Sequence, residues 1–222
     1  MTSIAEPNIV RNPSFSARRW IIGSIVVVGS LLVIGSIITY NRLVTLHQGV
    51  QAGWAEVENN YQRRADLVPN LVNTVRGAAA FESETLLAVT EARTRVTQAS
   101  GSASGRAPGT TPTASPEAFA NYQQAQDGLS TTLSRLMVVV ERYPELRATQ
   151  NFRDLQSQLE GTENRIAVAR MRFNEAALAF NSKRSSFPTV LVVGIMGNRF
   201  GSKPYFAAAP GAQSVPSVDF TR

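Results

Sequence analysis

The sequence predicts an all-α protein, with an N-terminal transmembrane helix followed by an elongated antiparallel helical bundle of about four helices. Three observations carry this reading. A run of 22 uncharged residues separates Arg19 from Arg42, four later segments each repeat apolar residues at three- and four-residue steps, and Gly- or Pro-containing breaks fall between them.

The uncharged run begins at Trp20 and ends at Tyr40-Asn41. At about 1.5 Å per residue it covers roughly 33 Å, enough for a hydrocarbon core of roughly 30 Å. Trp20 and Tyr40 mark the two ends, where amphipathic rings favour the headgroup zone, and Arg18, Arg19 and Arg42 can snorkel outward from the same positions. A soluble core helix would have to hide every face of this run. A cleaved signal peptide would end in a small-x-small site, whereas this run ends Ile37-Ile38-Thr39-Tyr40. The expectation is a retained anchor at 18–41, making the chain a single-pass membrane protein. Arg11, Arg18 and Arg19 precede the anchor while Arg42 stands alone just after it, so the positive-inside bias puts the N-terminus in the cytoplasm and the bundle outside.

Composition closes off much chemistry. The chain has no cysteine and one histidine, His47, which excludes disulfides, thiolate nucleophiles and multi-histidine metal sites. The net charge of +6 is spread over the ends and the linker, with residues 41–99 neutral and 117–186 carrying nine basic against eight acidic side chains. Nucleic-acid binding needs a clustered basic face, so none is expected.

Residues 1–17 contain Pro7 and Pro13 and no periodicity, and read as a disordered leader. The bundle is expected at 42–186. Its first stripe is Leu43, His47, Val50, Trp54, Val57, Tyr61 and Val68, with one step skipped at Arg64, and Gly49 and Gly53 would loosen this helix or permit close packing. Pro69 predicts a new helix capped by Asp66, with a kink in one continuous helix as the alternative. Val72, Val75, Ala79, Leu86, Val89 and Val96 continue on one face to about Ala99, with Phe81 beside it, and Glu82 and Arg93 interrupt that face, so its middle should be partly wet or paired. Residues 100–116, SGSASGRAPGTTPTASP, read as a flexible linker. Ser115-Pro116 then fits a cap and first-turn proline for the stripe Phe119, Tyr122, Gln126, Leu129, Leu133, Leu136, Val140 and Tyr143, which Pro144 ends. The last helix carries Phe152, Leu155, Leu159, Thr162, Ile166, Ala169, Phe173, Ala176 and Phe180. Gly161 within it predicts a close helix–helix approach. Bundle packing is thus expected to rest on Trp54, Leu133, Leu136, Gly161, Ile166 and Phe173. The stripes close within one chain or are shared between protomers, and tethering to a bilayer favours a homo-oligomer.

The segment 187–206 holds an apolar run, Val190 to Met196, too short to span a bilayer. Val190, Leu191, Val192, Ile195, Met196 and Arg199 are candidate lipid or partner contacts, with Arg199 and Lys203 placed to meet anionic headgroups; packing onto the bundle is the favoured alternative. Residues 207–222 read as a disordered tail.

No catalytic constellation emerges, and neither cofactor nor metal is expected. Glu160 and Glu163 lie one turn apart but lack the histidine a bundle di-metal site uses, so an ion-pair network with Arg165 and Arg170 is the simpler account. His47 reads as a packed histidine rather than a pH sensor. Arg63-Arg64-Ala65-Asp66 reads as a helix-end charge cluster rather than a phosphate site.

The anchor, Trp54, Arg63-Arg-Ala-Asp-Leu-Val-Pro-Asn-Leu-Val72, Thr90-Glu-Ala-Arg93, Leu133-Ser-Arg-Leu-Met-Val-Val-Val-Glu-Arg-Tyr-Pro-Glu-Leu146, Leu159-Glu-Gly-Thr-Glu-Asn-Arg-Ile-Ala-Val-Ala-Arg170, Phe173-Asn, Ser186-Phe-Pro and Lys203-Pro-Tyr-Phe206 together resemble the LemA family of bacterial membrane proteins. The resemblance runs from the anchor to Phe206. It implies a membrane helix followed by a helical bundle, kinship with a magnetosome-forming protein, and association with membrane metalloproteases of the HtpX type. It implies no reaction and no catalytic residue. Two expectations follow: a membrane-anchored, non-enzymatic scaffold that self-associates and organises partner membrane proteins, or a membrane-shaping oligomer acting through 187–206.

Overall fold

The computed structural model describes residues 14–77, 83–104, 113, 115–196 and 200–207. Among the described residues six helices follow one another: α1 (Ser14–Arg76), α2 (Ser83–Ser104), α3 (Pro116–Val140), α4 (Pro144–Arg147), α5 (Gln150–Ser185) and α6 (Thr189–Met196). There is no strand among the described residues. The expected leader up to 13, the stripe positions Ala79, Phe81 and Glu82, linker residues 105–112 and 114, Arg199 and the tail from 208 lie outside them, as do the side chains of Arg18, Ile195 and Met196.

Helix α1 is 63 residues long, about 95 Å at helical rise, and passes through Pro69 without a break. This corrects the expected new helix capped by Asp66. A mid-helix proline deprives the carbonyl four residues back of its donor. Here that carbonyl belongs to Ala65, and Arg93 Nε of α2 donates to it at 3.1 Å. The cation that interrupts the α2 stripe thus supplies the bond the proline removes. The chain turns instead at Gly77, and the segment expected as one helix from Pro69 to Ala99 is divided there. Helix α2 runs to Ser104, five residues into the stretch read as linker.

Helix α3 starts as expected, with Ser115 Oγ accepting from Ala118 N and Pro116 in the first turn. It ends at Val140, and Tyr143 lies beyond it, packed at the edge of the core. Pro144 opens the one-turn α4, too short to leave a periodic signature. Thr149 caps α5 by accepting from Phe152 N. The Phe187–Pro188 peptide bond that follows α5 is cis.

Helices α1 and α5 run antiparallel in tight register: Gly53 meets Phe173, Glu56 pairs with Arg172, Tyr61 with Arg170 and Arg64 with Glu163. Helix α2 returns along α1, and α3 packs on α2 while running parallel to α1, which sets Trp54 against Phe119 and Arg64 against Gln126. The core divides into two apolar zones. The membrane-distal zone is aliphatic, built from residues such as Leu71, Val75, Val89 and Leu136. The proximal zone is aromatic, built around Trp54, Phe119, Phe173, Phe180 and Phe200. Among the described glycines the tightest approach to another helix is at Gly53, where a Cβ would stand 3.3 Å from Phe173 Cα, in line with the close packing offered for that position. At Gly49 a Cβ would meet nothing within 4 Å and at Gly161 only the guanidinium of Arg165, so the close approach expected at Gly161 is absent.

Candidate functional site

The span of α1 carries no buried residue from Arg19 to Ile34. Ser30 and Ser36 turn their hydroxyls onto the carbonyls of Val26 and Leu32, each at 2.8 Å, which removes the polar groups a hydrocarbon environment penalises. Trp20, Arg19 and Arg42 are exposed, and Tyr40 is half-buried at the opposite end of the span from Trp20. This helix is long and apolar enough to cross a membrane, and the protein is read as a membrane protein on that ground.

Immediately after the span, an aromatic collar forms around α1. Tyr40 stands edge-on to Phe200 with centroids 6.0 Å apart, and His47 sits between Phe180 and Phe200 at 5.6 and 5.9 Å. His47 is thus a packed histidine, with Gln51 Nε2 at 3.3 Å from its Nε2. The collar is closed by residues 200–207, an extended strap held along α5 by two asparagines seven residues apart. Asn174 donates to the Phe206 carbonyl and accepts from its amide, and Asn181 does the same for Lys203. One asparagine side chain satisfies both backbone groups of a strap residue, the pairing a neighbouring strand would otherwise give. Phe206 is thereby pinned into the Trp54–Phe119–Phe173 cluster. Burial pulls the Lys203 ammonium below its ordinary value, and its Nζ lies 5.8 Å from the Phe180 centroid.

Helix α6 packs on both α1 and α5. Thr189 and Val193, one turn apart, are buried. Val190, Leu191 and Gly194 fall on the opposite side and are exposed, Leu191 at 59%, and Phe187, just before the helix, is exposed at 79%. Val192 is half-buried between the two faces.

Between the two apolar zones lies a polar layer. Arg64, at 1% exposure, donates to Glu163 Oε1 at 2.7 Å, to the Gln126 carbonyl at 3.0 Å, and to Gln126 Oε1. Arg170 donates to the Tyr61 hydroxyl at 2.7 Å and to Asp127 at 2.6 Å. Both guanidiniums lie over the Tyr61 ring, at 5.3 and 5.5 Å from its centroid. Burial pushes the Tyr61 hydroxyl up to about 12 and raises that of Tyr122. Burial pulls on the Arg170 guanidinium, but Tyr61 and Asp127 more than offset it and raise its value. The skipped step at Arg64 is therefore part of the stripe, and Arg63–Asp66 is not a helix end. The Glu163 partner is on α1, so the network joins helices instead of running along α5. Among the described residues no group of three or more His, Asp or Glu side chains is arranged to hold a metal ion.

The remaining predicted packing residues, Trp54, Leu133, Leu136, Ile166 and Phe173, are all buried, whereas Gly161 is half-buried at the stripe's edge. The periodicity did not mark a second, outward stripe on α5: Val168, Met171 and Leu178 are exposed.

The model of the LemA family matches residues 53–220. Relatives include magnetosome protein MamQ 2 and magnetosome protein MamQ 1 of Paramagnetospirillum magneticum and magnetosome protein MamQ of Magnetospirillum gryphiswaldense, each 27% identical over 178 residues. The match covers 76% of this chain and 65% of each relative, so the chain spans just under two thirds of their length.

Proposed function

The chain belongs to the LemA family, and from that premise we propose that it is a membrane-anchored, non-enzymatic scaffold whose bundle self-associates and holds partner membrane proteins. The observation that carries this is α1 itself, one helix that forms the span and then contributes to both cores. Such a helix places a rigid body at a fixed height above the bilayer instead of leaving it on a loose tether. The exposed stripe Val168, Met171 and Leu178 supports self-association, because neighbours on the outer face of a helix form the seam a second helix would bury. A quality-control metalloprotease of the HtpX type is the proposed class of partner, in a bacterial inner membrane with the N-terminus cytoplasmic. A membrane-shaping oligomer is the second reading, favoured by the outward apolar side of α6.

The chain has no cysteine, so a Met171→Cys variant reports a single position. Crosslinking it in membranes is expected to trap homo-oligomers, and adding Leu178→Asp is expected to abolish them. Monomer alone, with no partner captured, overturns the scaffold reading.

A further inference from the structure

We propose that α6 is a second membrane contact, lying in the headgroup–acyl boundary of the same bilayer that α1 crosses, with Phe187, Val190 and Leu191 turned into lipid. The inference rests on α1 being a span but not on self-association.

Its height fixes it there. The α1–α5 register, counted from the Arg64–Glu163 pair, brings Ser185, the last residue of α5, level with Arg42, and Phe187 follows two residues beyond it. The Tyr40–Phe200 contact and the burial of Thr39 and Leu43 place the same region of chain beside the end of the span. Phe187, Val190 and Leu191 are therefore exposed where the hydrocarbon core gives way to headgroups, a depth at which apolar side chains gain by leaving water.

Charge points to lipid as the occupant. There is no Asp or Glu from residue 176 to 218, a stretch holding Lys183, Arg184, Arg199 and Lys203, nor any in α1 before Glu56, where Arg42 is exposed. The proximal ends of α1 and α5 therefore carry Arg42 and Lys183 with no carboxylate beside them, and an acid-free cationic surround of an apolar face complements an anionic leaflet. Both side chains are long enough to reach headgroup phosphates while their stems stay apolar. A copy of this chain would bring equally cationic ends against it.

Because the chain lacks cysteine, single-cysteine variants carrying an environment-sensitive fluorophore test this in the full-length protein. The variants are Leu191→Cys, Phe187→Cys, which lies outside the helix and leaves it unaltered, Ser30→Cys in the span and Val138→Cys, exposed on α3 at the membrane-distal end. Each is reconstituted in phosphatidylcholine vesicles containing phosphatidylglycerol and quenched by shallow spin-labelled lipid or by aqueous iodide. The probes at 187 and 191 are expected to be quenched by lipid several-fold more, and by iodide several-fold less, than the probe at 138, with Ser30 the deepest. Iodide access equal to that at 138 overturns the proposal, as does shielding from iodide without lipid quenching, which would assign the face to protein. If Ser30 is also open to iodide, the anchor itself fails; if only 187 and 191 are, the anchor stands and α6 alone is misplaced.

Discussion

Removing Glu163 should cost more than removing Arg64, although the two form one ion pair. Arg64 is 1% exposed, whereas Glu163 is 39% exposed and opens on a cleft of about 370 Å³ between α3 and α5. Glu163→Ala strands a guanidinium in the core. An uncompensated buried charge costs about 3–5 kcal/mol, and because Gln126 still accepts from Arg64 the lower end, about 3 kcal/mol, applies. For a chain of this size that is a fall in melting temperature of about 6–12 °C. Arg64→Met keeps the volume, leaves Glu163 to hydrate, and orphans only the Gln126 acceptors, for a net cost of about 0–2 kcal/mol. Adding Gln126→Leu should recover that loss. Thermal unfolding followed by far-UV circular dichroism in micelles measures all three, with Glu56→Ala as a control, since its pair with Arg172 is exposed and worth about 0.5 kcal/mol or less. A Glu163→Ala protein as stable as the parent, or a double variant less stable than Arg64→Met, would refute the reasoning.

Three further outcomes are expected. Arg93→Met should destabilise the parent by about 1.5–3 kcal/mol but cost much less in a Pro69→Ala background, where the Ala65 carbonyl regains its own donor; a double-mutant cycle in denaturant gives the coupling directly. Gly53→Ala should destabilise by about 1–3 kcal/mol, because its Cβ would press on Phe173 backbone, while Gly161→Ala should stabilise by about 0.5–1 kcal/mol; chemical denaturation distinguishes the signs. The Tyr61 proton is held more tightly in the folded state, up to about 12 against 10.0. Its contribution to stability is therefore complete below pH 10 and lost as pH climbs towards 12, and melting temperatures across that window should fall less steeply for Tyr61→Phe than for the parent.

The sequence was most legible where burial and periodicity agree. Every member of the α3 stripe from Phe119 to Val140, Gln126 included, is buried, because nothing but packing decides which face of that helix turns inward. It was least legible where a polar group takes a structural part. Arg64 occupies a stripe position, yet a charged side chain reads as solvated until its three acceptors are known to lie on α3 and α5. Pro69 reads as a break until Arg93 is seen to serve the carbonyl it orphans. The end of α1 has only Gly77 to announce it, and Gly53 and Gly161 both read as sites of close packing until it is known which one faces a neighbouring helix. The strap was visible as a motif, Lys203-Pro-Tyr-Phe206, but its anchors Asn174 and Asn181 are ordinary polar residues on a helix until their partners are in place.

A helix leaving a bilayer is free to swing or rotate at its exit unless something beyond the lipid grips it. Here the grip begins within the last residues of the span: Thr39 and Leu43 are buried, and Tyr40 and His47 bear on Phe200, which accepts from Arg184 Nε of α5 at 2.6 Å through its carbonyl. Turning the span about its axis would pull Tyr40 from Phe200 and the strap from Asn181. The rotational setting of the span therefore fixes the direction in which the α5 stripe faces. Under the proposed scaffold role this removes most of the orientational freedom that two bundles must lose on meeting, so that a modest apolar stripe suffices for association in the plane of the membrane. The collar, then, would matter to assembly without touching a partner: loosening it through Asn181→Ala should weaken crosslinking at Met171, a position far along α5 that the substitution leaves chemically intact.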